Sequence, residues 1–296
     1  MRYPLAFLVM ALFLALAVAP QRGAAAESGP AWITVPESVA IGEPFLVSAG
    51  GDGVGKVMVH WMDQTLELTP GMYGQPRGSC AVLLPVALKE TKKSLPLEVS
   101  VVRDGKVEKR AFSIAIEKKE YPVQRLQVAP KFVTPPASEQ ARIKRERQEI
   151  SKTISTVTPH RHWQARFDRP VPGVVTSEYG LRREFNGQKR NPHMGLDLDG
   201  AKGDPIVAAE SGTVVLVGDH YYGGKTVIVD HGLGVFTLYL HMSDFAVNKG
   251  QKVSRGTTIG YVGSTGRVTG PHLHLSLNVL GQSVNPTSVL EPYPAP

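Results

Sequence analysis

The sequence predicts a mainly β protein: an N-terminal immunoglobulin-like β-sandwich, a short helical and proline-rich linker, and a C-terminal antiparallel β domain. Short runs in which apolar and polar residues alternate occur in both halves of the chain, and this period of two is typical of strands with one buried face. Turn-forming glycines separate many of these runs. One charged run, residues 142–152, lacks the alternation and predicts a helix with a solvated face between the two strand-rich parts.

Residues 30–118 form the predicted β-sandwich domain. Alternating runs such as 97–102 and 110–116 predict short strands, and the pair Asp104-Gly105 between them favours a tight hairpin. Hairpin-rich strands separated by turn signals are typical of immunoglobulin-like sandwiches. No residues in this region have the spacing of a catalytic site.

Residues 119–172 form the predicted linker, which is irregular at both ends. Its first part is rich in proline, and a charged helix is expected to begin at Pro136 or Ser138 and to end near Lys152. From residue 173 to about residue 290 the chain is again rich in strands and glycine, which predicts the second β domain.

The N-terminus has the features of a cleavable secretory signal peptide, residues 1–26. Arg2 precedes an apolar run, residues 4–19, and Ala24–Ala26 supplies the small residues of a cleavage site. An uncleaved anchor is the alternative, because a slightly longer run could span a bilayer. No second apolar stretch of spanning length follows, so we expect an exported chain without a stable membrane span after cleavage.

Charge and cysteine content narrow the chemistry that the chain can carry out. The net charge is +7, or +5 once Arg2 and Arg22 leave with the signal, which favours an anionic partner. Nucleic acid is not expected as that partner, since the chain has an export signal and no recognisable binding motif. Cys80 is the single cysteine, so an intrachain disulfide and a thiolate-rich metal site are both excluded. Any metal must be held by histidine and carboxylate side chains.

Two short motifs in the C-terminal region place metal-ligand residue types on one face of a strand. In the first, His193 and Asp197 are four residues apart, and Gly195 with alternating leucines favours a strand, where residues of equal parity share a face. In the second, His272 and His274 share a face while the intervening leucines pack in the core. Burying unpaired imidazoles is costly, so a partner must satisfy them.

A third histidine, His241, follows a predicted strand and is expected to share a face with Thr237 and Tyr239. Two histidines, one aspartate and a water make a tetrahedral zinc site with one exchangeable position, which is the pattern of a catalytic site. Zinc lowers the pKa of its water and polarises a carbonyl, and nearby imidazoles can move protons or bind an oxyanion. Spacing alone leaves open whether the strands converge and which residues hold the metal.

Several segments between Thr176 and Pro286 resemble one known family in the same order. These segments are Tyr179–Arg182, His193–Asp197, Gly203–Ala209, Asp230–Gly232, Leu238–His241 and Thr269–His274. They are similar to the lysostaphin-like (LytM-type) zinc metalloendopeptidase family of peptidoglycan hydrolases. The resemblance implies that His193, Asp197 and His274 bind zinc, and that His241 and His272 form a catalytic pair that does not bind the metal.

The resemblance also implies the function: a zinc-dependent endopeptidase, with Zn²⁺ as cofactor, that hydrolyses the peptide cross-links of bacterial peptidoglycan. Its partners would be peptidoglycan peptide stems, and its location periplasmic or secreted, associated with the cell wall. A catalytically silent wall-binding activator of another hydrolase and a purely structural surface module are the alternatives. The cleaved bond stays open between D-Ala–diaminopimelate, a glycine bridge and another peptide. Three roles stay open for the N-terminal domain: binding the wall, binding a regulatory protein partner, and covering the groove.

The remaining histidines are expected to have structural or surface roles. His60 is a lone histidine on a strand, and His160 and His162 fall in an irregular, exposed stretch. His220 is predicted to lie in a surface loop. His231 adjoins a turn glycine and is predicted to be a structural, hydrogen-bonded residue.

Overall fold

The computed structural model describes residues 30–291. The predicted signal peptide, residues 1–26, lies outside the described residues. Within them the chain is mostly strand with two helices before the C-terminal sheets, so the predicted mainly β fold class is confirmed.

Eight strands form the N-terminal part of the structure. They are β1 (Trp32–Thr34), β2 (Ser38–Ala40), β3 (Pro44–Gly50), β4 (Val54–Trp61), β5 (Gln64–Leu68), β6 (Ser79–Pro85), β7 (Ser94–Arg103) and β8 (Lys106–Glu117). One sheet has the order β1-β3-β6 and the other the order β2-β8-β7-β4-β5. The rings of Phe45 and Trp61, one from each sheet, lie 5.0 Å apart edge to face, and Trp61 Nε1 donates to the Pro85 carbonyl at 2.9 Å. These contacts join the inner faces of a two-layer sandwich.

The hairpin between β7 and β8 turns at the predicted pair. Asp104 and Gly105 have φ angles of 50° and 74°, the left-handed conformation that a two-residue turn of this kind requires at both positions. The strands then pair in register from Arg103 and Lys106 outward.

The linker contains one strand and two helices: β9 (Val123–Leu126), α1 (Pro130–Val133) and α2 (Ala137–Ile154). The charged helix α2 therefore spans the predicted segment. Its apolar residues Ile143, Ile150 and Ile154 face inward: Ile143 is buried, and the other two pack against a buried cluster on the C-terminal sheet.

Thirteen strands and a short 3-10 helix, Pro286–Ser288, form the C-terminal part. The strands are β10 (Val175–Ser177), β11 (Arg182–Phe185), β12 (Gln188–Lys189), β13 (Leu196–Leu198), β14 (Pro205–Val207), β15 (Gly212–His220), β16 (Gly224–Gly232), β17 (Val235–Met242), β18 (Asp244–Phe245), β19 (Lys252–Val253), β20 (Thr258–Tyr261), β21 (Leu273–Val279) and β22 (Gln282–Val284). The main sheet has the order β10-β13-β21-β17-β16-β15-β19, with β22 paired to β21. Two smaller sheets have the orders β12-β11-β9 and β14-β20-β18.

The main sheet brings the two sequence motifs side by side. Strand β21 lies between β13 and β17, and Asp197 pairs directly with His274. Leu273, Leu275 and Leu277 of β21 are buried. The alternating leucines thus hold the strand in the core, as their period predicts, while His274 faces the other side.

The linker and the sandwich both contact the C-terminal part. Strand β9 runs parallel to β11, with Gln124 opposite Arg183. The Asn285 backbone N–H donates to the Gly42 carbonyl at 2.7 Å. Gly42 has a φ of 79°, and a Cβ atom there would lie 2.8 Å from Tyr179 Cε1, so only glycine fits this contact without rearrangement.

Among residues 30–291, no helix combines the length and the apolar character needed to cross a bilayer.

The buried histidine His231 lies in β16, where it is part of a hydrogen-bonded network. Its Nδ1 donates to the Ser211 carbonyl at 2.7 Å, and its Nε2 lies 2.7 Å from the Thr237 hydroxyl. The Thr237 hydroxyl is in turn 3.0 Å from the Tyr239 hydroxyl. Burial lowers the pKa of His231 to about 4, so this residue is neutral near pH 7.

This buried imidazole is expected to make the fold sensitive to acid. Its pKa is about 4 when folded and 6.5 in the unfolded chain, so the unfolded chain binds more protons between these values and stability falls as pH drops below 6.5. At pH 5 the loss from this residue is about 2 kcal/mol. Denaturant unfolding at pH 7 and pH 5 tests this. His231→Asn should be less stable at pH 7 but lose about 2 kcal/mol less on acidification.

The matched control is the exposed residue His60 on β4. His60→Asn should leave the difference in unfolding free energy between pH 7 and pH 5 unchanged. Equal pH dependence in the wild type and in His231→Asn would contradict the prediction.

Candidate metal centre

Three side chains from the two motifs meet beside the main sheet. His193 lies in the extended segment before β13, Asp197 lies within β13, and His274 lies within β21. Asp197 Oδ1 is 3.0 Å from His193 Nε2 and 2.7 Å from His274 Nδ1, and the two nitrogens are 3.0 Å apart. All three residues are buried or nearly so. The donor atoms are close enough to share one metal ion.

Hydrogen bonds on the outer side of each imidazole determine which nitrogen faces the cluster. His193 Nδ1 donates to the Glu178 carbonyl at 2.7 Å, so its Nε2 carries the lone pair. The Ser276 hydroxyl donates to the Met194 carbonyl at 2.9 Å and accepts from His274 Nε2 at 2.9 Å. Nδ1 of His274 is therefore the unprotonated nitrogen.

Three lone pairs thus converge on one point, one from a carboxylate and two from neutral imidazoles. A proton or a metal ion must lie between these atoms, because they would otherwise repel each other. Two histidine nitrogens and one carboxylate oxygen are a donor set that zinc accepts, with a fourth position left for water or substrate. The side chains therefore fit a catalytic type of zinc site.

The electrostatic environment favours the charge states that metal binding needs. Burial lowers the pKa of His274 to about 4, which keeps this imidazole neutral near pH 7. Burial also disfavours the Asp197 carboxylate, but its contacts with His193 and His274 outweigh that effect and hold its pKa below the ordinary value. A neutral imidazole and an ionised carboxylate are the metal-binding forms.

The other two predicted site residues lie next to this cluster. His272 lies immediately before β21, and its Nδ1 donates to the Gly270 carbonyl at 2.9 Å. Its Nε2 is 3.7 Å from Asp197 Oδ1. His241 Nδ1 donates to the Thr265 carbonyl at 2.9 Å, and burial lowers the pKa of His241 well below 6.5. In both residues Nε2 is the nitrogen without a backbone partner.

The structure thus brings all five predicted residues together. The rings of His241 and His272 lie 5.1 Å apart, and those of His241 and His274 lie 5.8 Å apart.

His241 reaches the cluster by a backbone irregularity, and its predicted strand face is wrong. Tyr239 pairs with Leu275 and is buried in the core, whereas Leu240 pairs with His274. Simple alternation would therefore place His241 on the core side with Tyr239. Its φ of 67° is in the left-handed region, which breaks the alternation and directs the ring to the metal side.

Gly195 allows the first motif to approach β21 closely. A Cβ atom at this position would lie 2.5 Å from His274 Nε2 and 2.6 Å from the Leu275 carbonyl oxygen. A larger residue would displace His274. The glycine between His193 and Asp197 is thus a packing requirement of the cluster.

One residue of the site, Arg183, was not predicted from the sequence. Its Nη2 donates to Asp197 Oδ2 at 3.0 Å and to the Ser177 hydroxyl at 3.2 Å, while its Nε donates to Gln124 Oε1 at 3.2 Å. It therefore orients the carboxylate oxygen that does not face the histidines. The sequence does contain an indication of this role, because Arg183 has the same strand parity as the buried Phe185. A charged residue on a buried face needs a partner.

Replacing Arg183 is expected to weaken zinc binding without removing it. Arg183→Gln loses the charge-assisted bond that orients Asp197, and loss of such a supporting contact costs about 10- to 100-fold in metal affinity. Competition for zinc with a chromophoric chelator measures this. Arg182→Gln, at the exposed neighbouring position, is the control and should bind zinc as the wild type does. Equal zinc affinity of Arg183→Gln and wild type would refute the role.

The structure corrects one other histidine prediction and agrees with two. His220 is not in a surface loop: it is buried at the end of β15, beside Ile143 and Ile150 of α2. His160 and His162 are exposed as expected, with their rings stacked 4.2 Å apart. None of these three belongs to the metal cluster.

Comparison with known proteins finds a family match in the C-terminal part of the chain. Residues 191–286 match peptidase family M23. The peptidoglycan DD-endopeptidase ShyA of Vibrio cholerae is 46% identical over 112 residues, which cover 38% of this chain and 26% of that protein. The DD-carboxypeptidase/endopeptidase Mpg of Neisseria meningitidis is 40% identical over 120 residues, covering 40% and 28%. This chain thus spans only about a quarter of the length of these relatives.

A solved structure extends the likeness beyond that domain. A Pseudomonas aeruginosa protein described as a peptidase M23 has a TM-score of 0.62 and 26% identity, and the alignment covers 83% of this chain and 92% of that one. The β fold and the cluster of two histidines and one aspartate are features expected of a metallopeptidase domain. Residues 191–286 are similar to peptidase family M23, in agreement with the lysostaphin-like family that the sequence motifs resemble.

Proposed function

We propose that this chain is an exported zinc endopeptidase that hydrolyses peptide cross-links of bacterial peptidoglycan in the periplasm or the cell wall. The observation that carries the proposal is the convergence of three unprotonated donor atoms from His193, Asp197 and His274. The substrate class is suggested by relatives named as peptidoglycan DD-endopeptidases.

In this proposal His193 Nε2, Asp197 Oδ1 and His274 Nδ1 would hold the zinc ion. Zinc supplies a Lewis acid for the scissile carbonyl and lowers the pKa of the attacking water. Ser276 and the Glu178 carbonyl keep the two imidazoles in the ligating tautomers.

His241 and His272 handle protons beside the metal position. Each donates its Nδ1 proton to a backbone carbonyl, so each presents Nε2 to the substrate side. A neutral Nε2 can accept a proton from the attacking water and return it to the leaving amine. The protonated form can donate a hydrogen bond to the oxyanion that develops on the carbonyl.

The test is hydrolysis of purified peptidoglycan by the full chain, with and without zinc. We expect mass spectrometry to find peptides separated at their cross-links, no products after chelation, and recovery when zinc is restored. Defined peptidoglycans with direct and glycine-bridged cross-links would identify the bond. A protein that binds no stoichiometric zinc and releases no peptides would instead be the silent activator.

A further inference from the structure

A cavity of about 480 Å³ adjoins the metal centre. His193 and His274 form part of its wall, and α1 contributes Phe132 and Val133. The linker and the metal centre therefore enclose the same space. Arginine is its most frequent lining residue, with four side chains: Arg147, Arg183, Arg190 and Arg267. No aspartate or glutamate is among the described residues that line it.

Arg267 is partly buried in the wall of this cavity. Its guanidinium lies 4.7 Å from the ring centroid of Phe185 and 4.7 Å from that of Tyr222. Burial lowers the pKa of Arg267 to about 10, with a further contribution from the nearby Arg183 and Arg190, so the side chain is still charged at neutral pH. Its contacts within residues 30–291 are with aromatic rings and not with a carboxylate.

Arg190 and Arg147 approach the same cavity from other elements. Arg190 Nη2 donates to the Val133 carbonyl at 2.9 Å and to Gln188 Oε1 at 2.6 Å, which fixes it between α1 and the β11–β12 hairpin. Arg147 is exposed on α2. Arg183 differs from the others because its charge is paired with Asp197.

Three guanidinium charges thus face one cavity, and no described residue that lines it supplies a carboxylate to neutralise them. Like charges that line one cavity repel, and two aromatic rings hold the Arg267 guanidinium in place. Guanidinium groups recognise carboxylates by paired, charge-assisted hydrogen bonds. The missing partner is best supplied by a ligand that carries the opposite charge.

We propose that this arginine cavity binds a free carboxylate of the peptide substrate next to the scissile amide. The proposal rests on the proposed peptidase function and specifies its substrate class. In a D-Ala–diaminopimelate cross-link, the carbon that bears the scissile nitrogen also bears a carboxylate, whereas a glycine bridge has no charge there. The cavity therefore favours the direct cross-link with a free carboxylate.

The test uses two cross-linked peptide dimers that differ only at this carboxylate, which is free in one and a carboxamide in the other. For the zinc-loaded full chain we expect kcat/KM to be about 10- to 100-fold higher for the acid, the range that charged hydrogen bonds give. Arg267→Gln should remove this preference mainly by raising KM for the acid, with cleavage of the carboxamide little changed. Arg145→Gln, an exposed residue of α2 outside the cavity, is the control and should keep the preference.

Equal cleavage of both dimers by the wild type, or an unchanged preference in Arg267→Gln, would overturn the subsite while leaving the peptidase function intact. Calorimetric binding of the two uncleaved dimers to zinc-loaded His272→Ala separates the two proposals. Tighter binding of the acid, lost when Arg267→Gln is added, supports the subsite even if neither dimer is cleaved by the wild type. Absence of cleavage would then count against the proposed function alone, and equal binding against the subsite.

Discussion

Asp197→Asn is expected to abolish zinc binding and peptidase activity while leaving the fold in place. Arg183 donates to Asp197 Oδ2, so the amide oxygen of asparagine should take that position and its NH₂ group should point at the histidines. The two imidazole lone pairs then receive hydrogen bonds instead of a metal ion. Zinc content by mass spectrometry should fall from one per chain to background, and peptide release should fall with it.

Asp199→Asn is the matched control for this change. Asp199 is exposed and lies two residues further along the same motif, so it should keep both zinc and activity. Circular dichroism of both variants verifies the fold. An Asp197→Asn protein with one bound zinc and full activity would show that this carboxylate is not a ligand.

His272→Ala is expected to separate metal binding from catalysis. The Nε2 atom of His272 lies 3.7 Å from Asp197 Oδ1, and its Nδ1 atom donates to the Gly270 carbonyl. The substitution leaves the three proposed zinc ligands in place. Zinc should stay at one per chain, and kcat should fall about 10²- to 10⁴-fold, the range for loss of a proton-transfer group.

The exposed His160 is the control for this second substitution, since His160→Ala should change neither zinc content nor kcat. Full activity of His272→Ala on purified peptidoglycan would refute the assigned pair. Loss of zinc from His272→Ala would make this residue a ligand and not a proton carrier.

The fold could be predicted in outline because local rules and tertiary structure agree over most of the chain. The alternating leucines of β21 are buried as their period requires, and Asp104-Gly105 forms the predicted hairpin turn. Likewise, α2 spans the charged segment, whose sparse isoleucines pack on the sheet.

The site was predictable where its residues follow strand alternation and unpredictable where they do not. His274 and Asp197 share a face and a register position. His241 departs from alternation through a left-handed backbone that depends on its hydrogen-bonded surroundings. The predicted surface position of His220 is wrong because α2, which is distant in sequence, covers the end of β15.

Arginines near the metal centre could not be assembled from sequence for a related reason. Arg147 and Arg267 are far apart in the chain, and only the packing of α2 and the C-terminal loops brings them to one cavity. In the sequence each is an ordinary surface charge. The resemblance to a family covers the ligand motifs and carries no information on the linker that closes this cavity.

The parallel pairing of β9 with β11 has a practical consequence for preparing the catalytic part alone. A fragment cut at the predicted boundary, residue 173, would lack Gln124, whose side-chain oxygen accepts from both Ser177 and Arg183. Arg183, which orients Asp197, would then lose its hydrogen bond to Gln124. Strand β11 would also lose its pairing with β9 and expose an unpaired edge. Such a fragment would aggregate more readily and bind its metal less tightly than one that begins before Val123. An expression fragment that keeps the supports of the candidate metal centre therefore includes most of the segment that the sequence predicts as a linker.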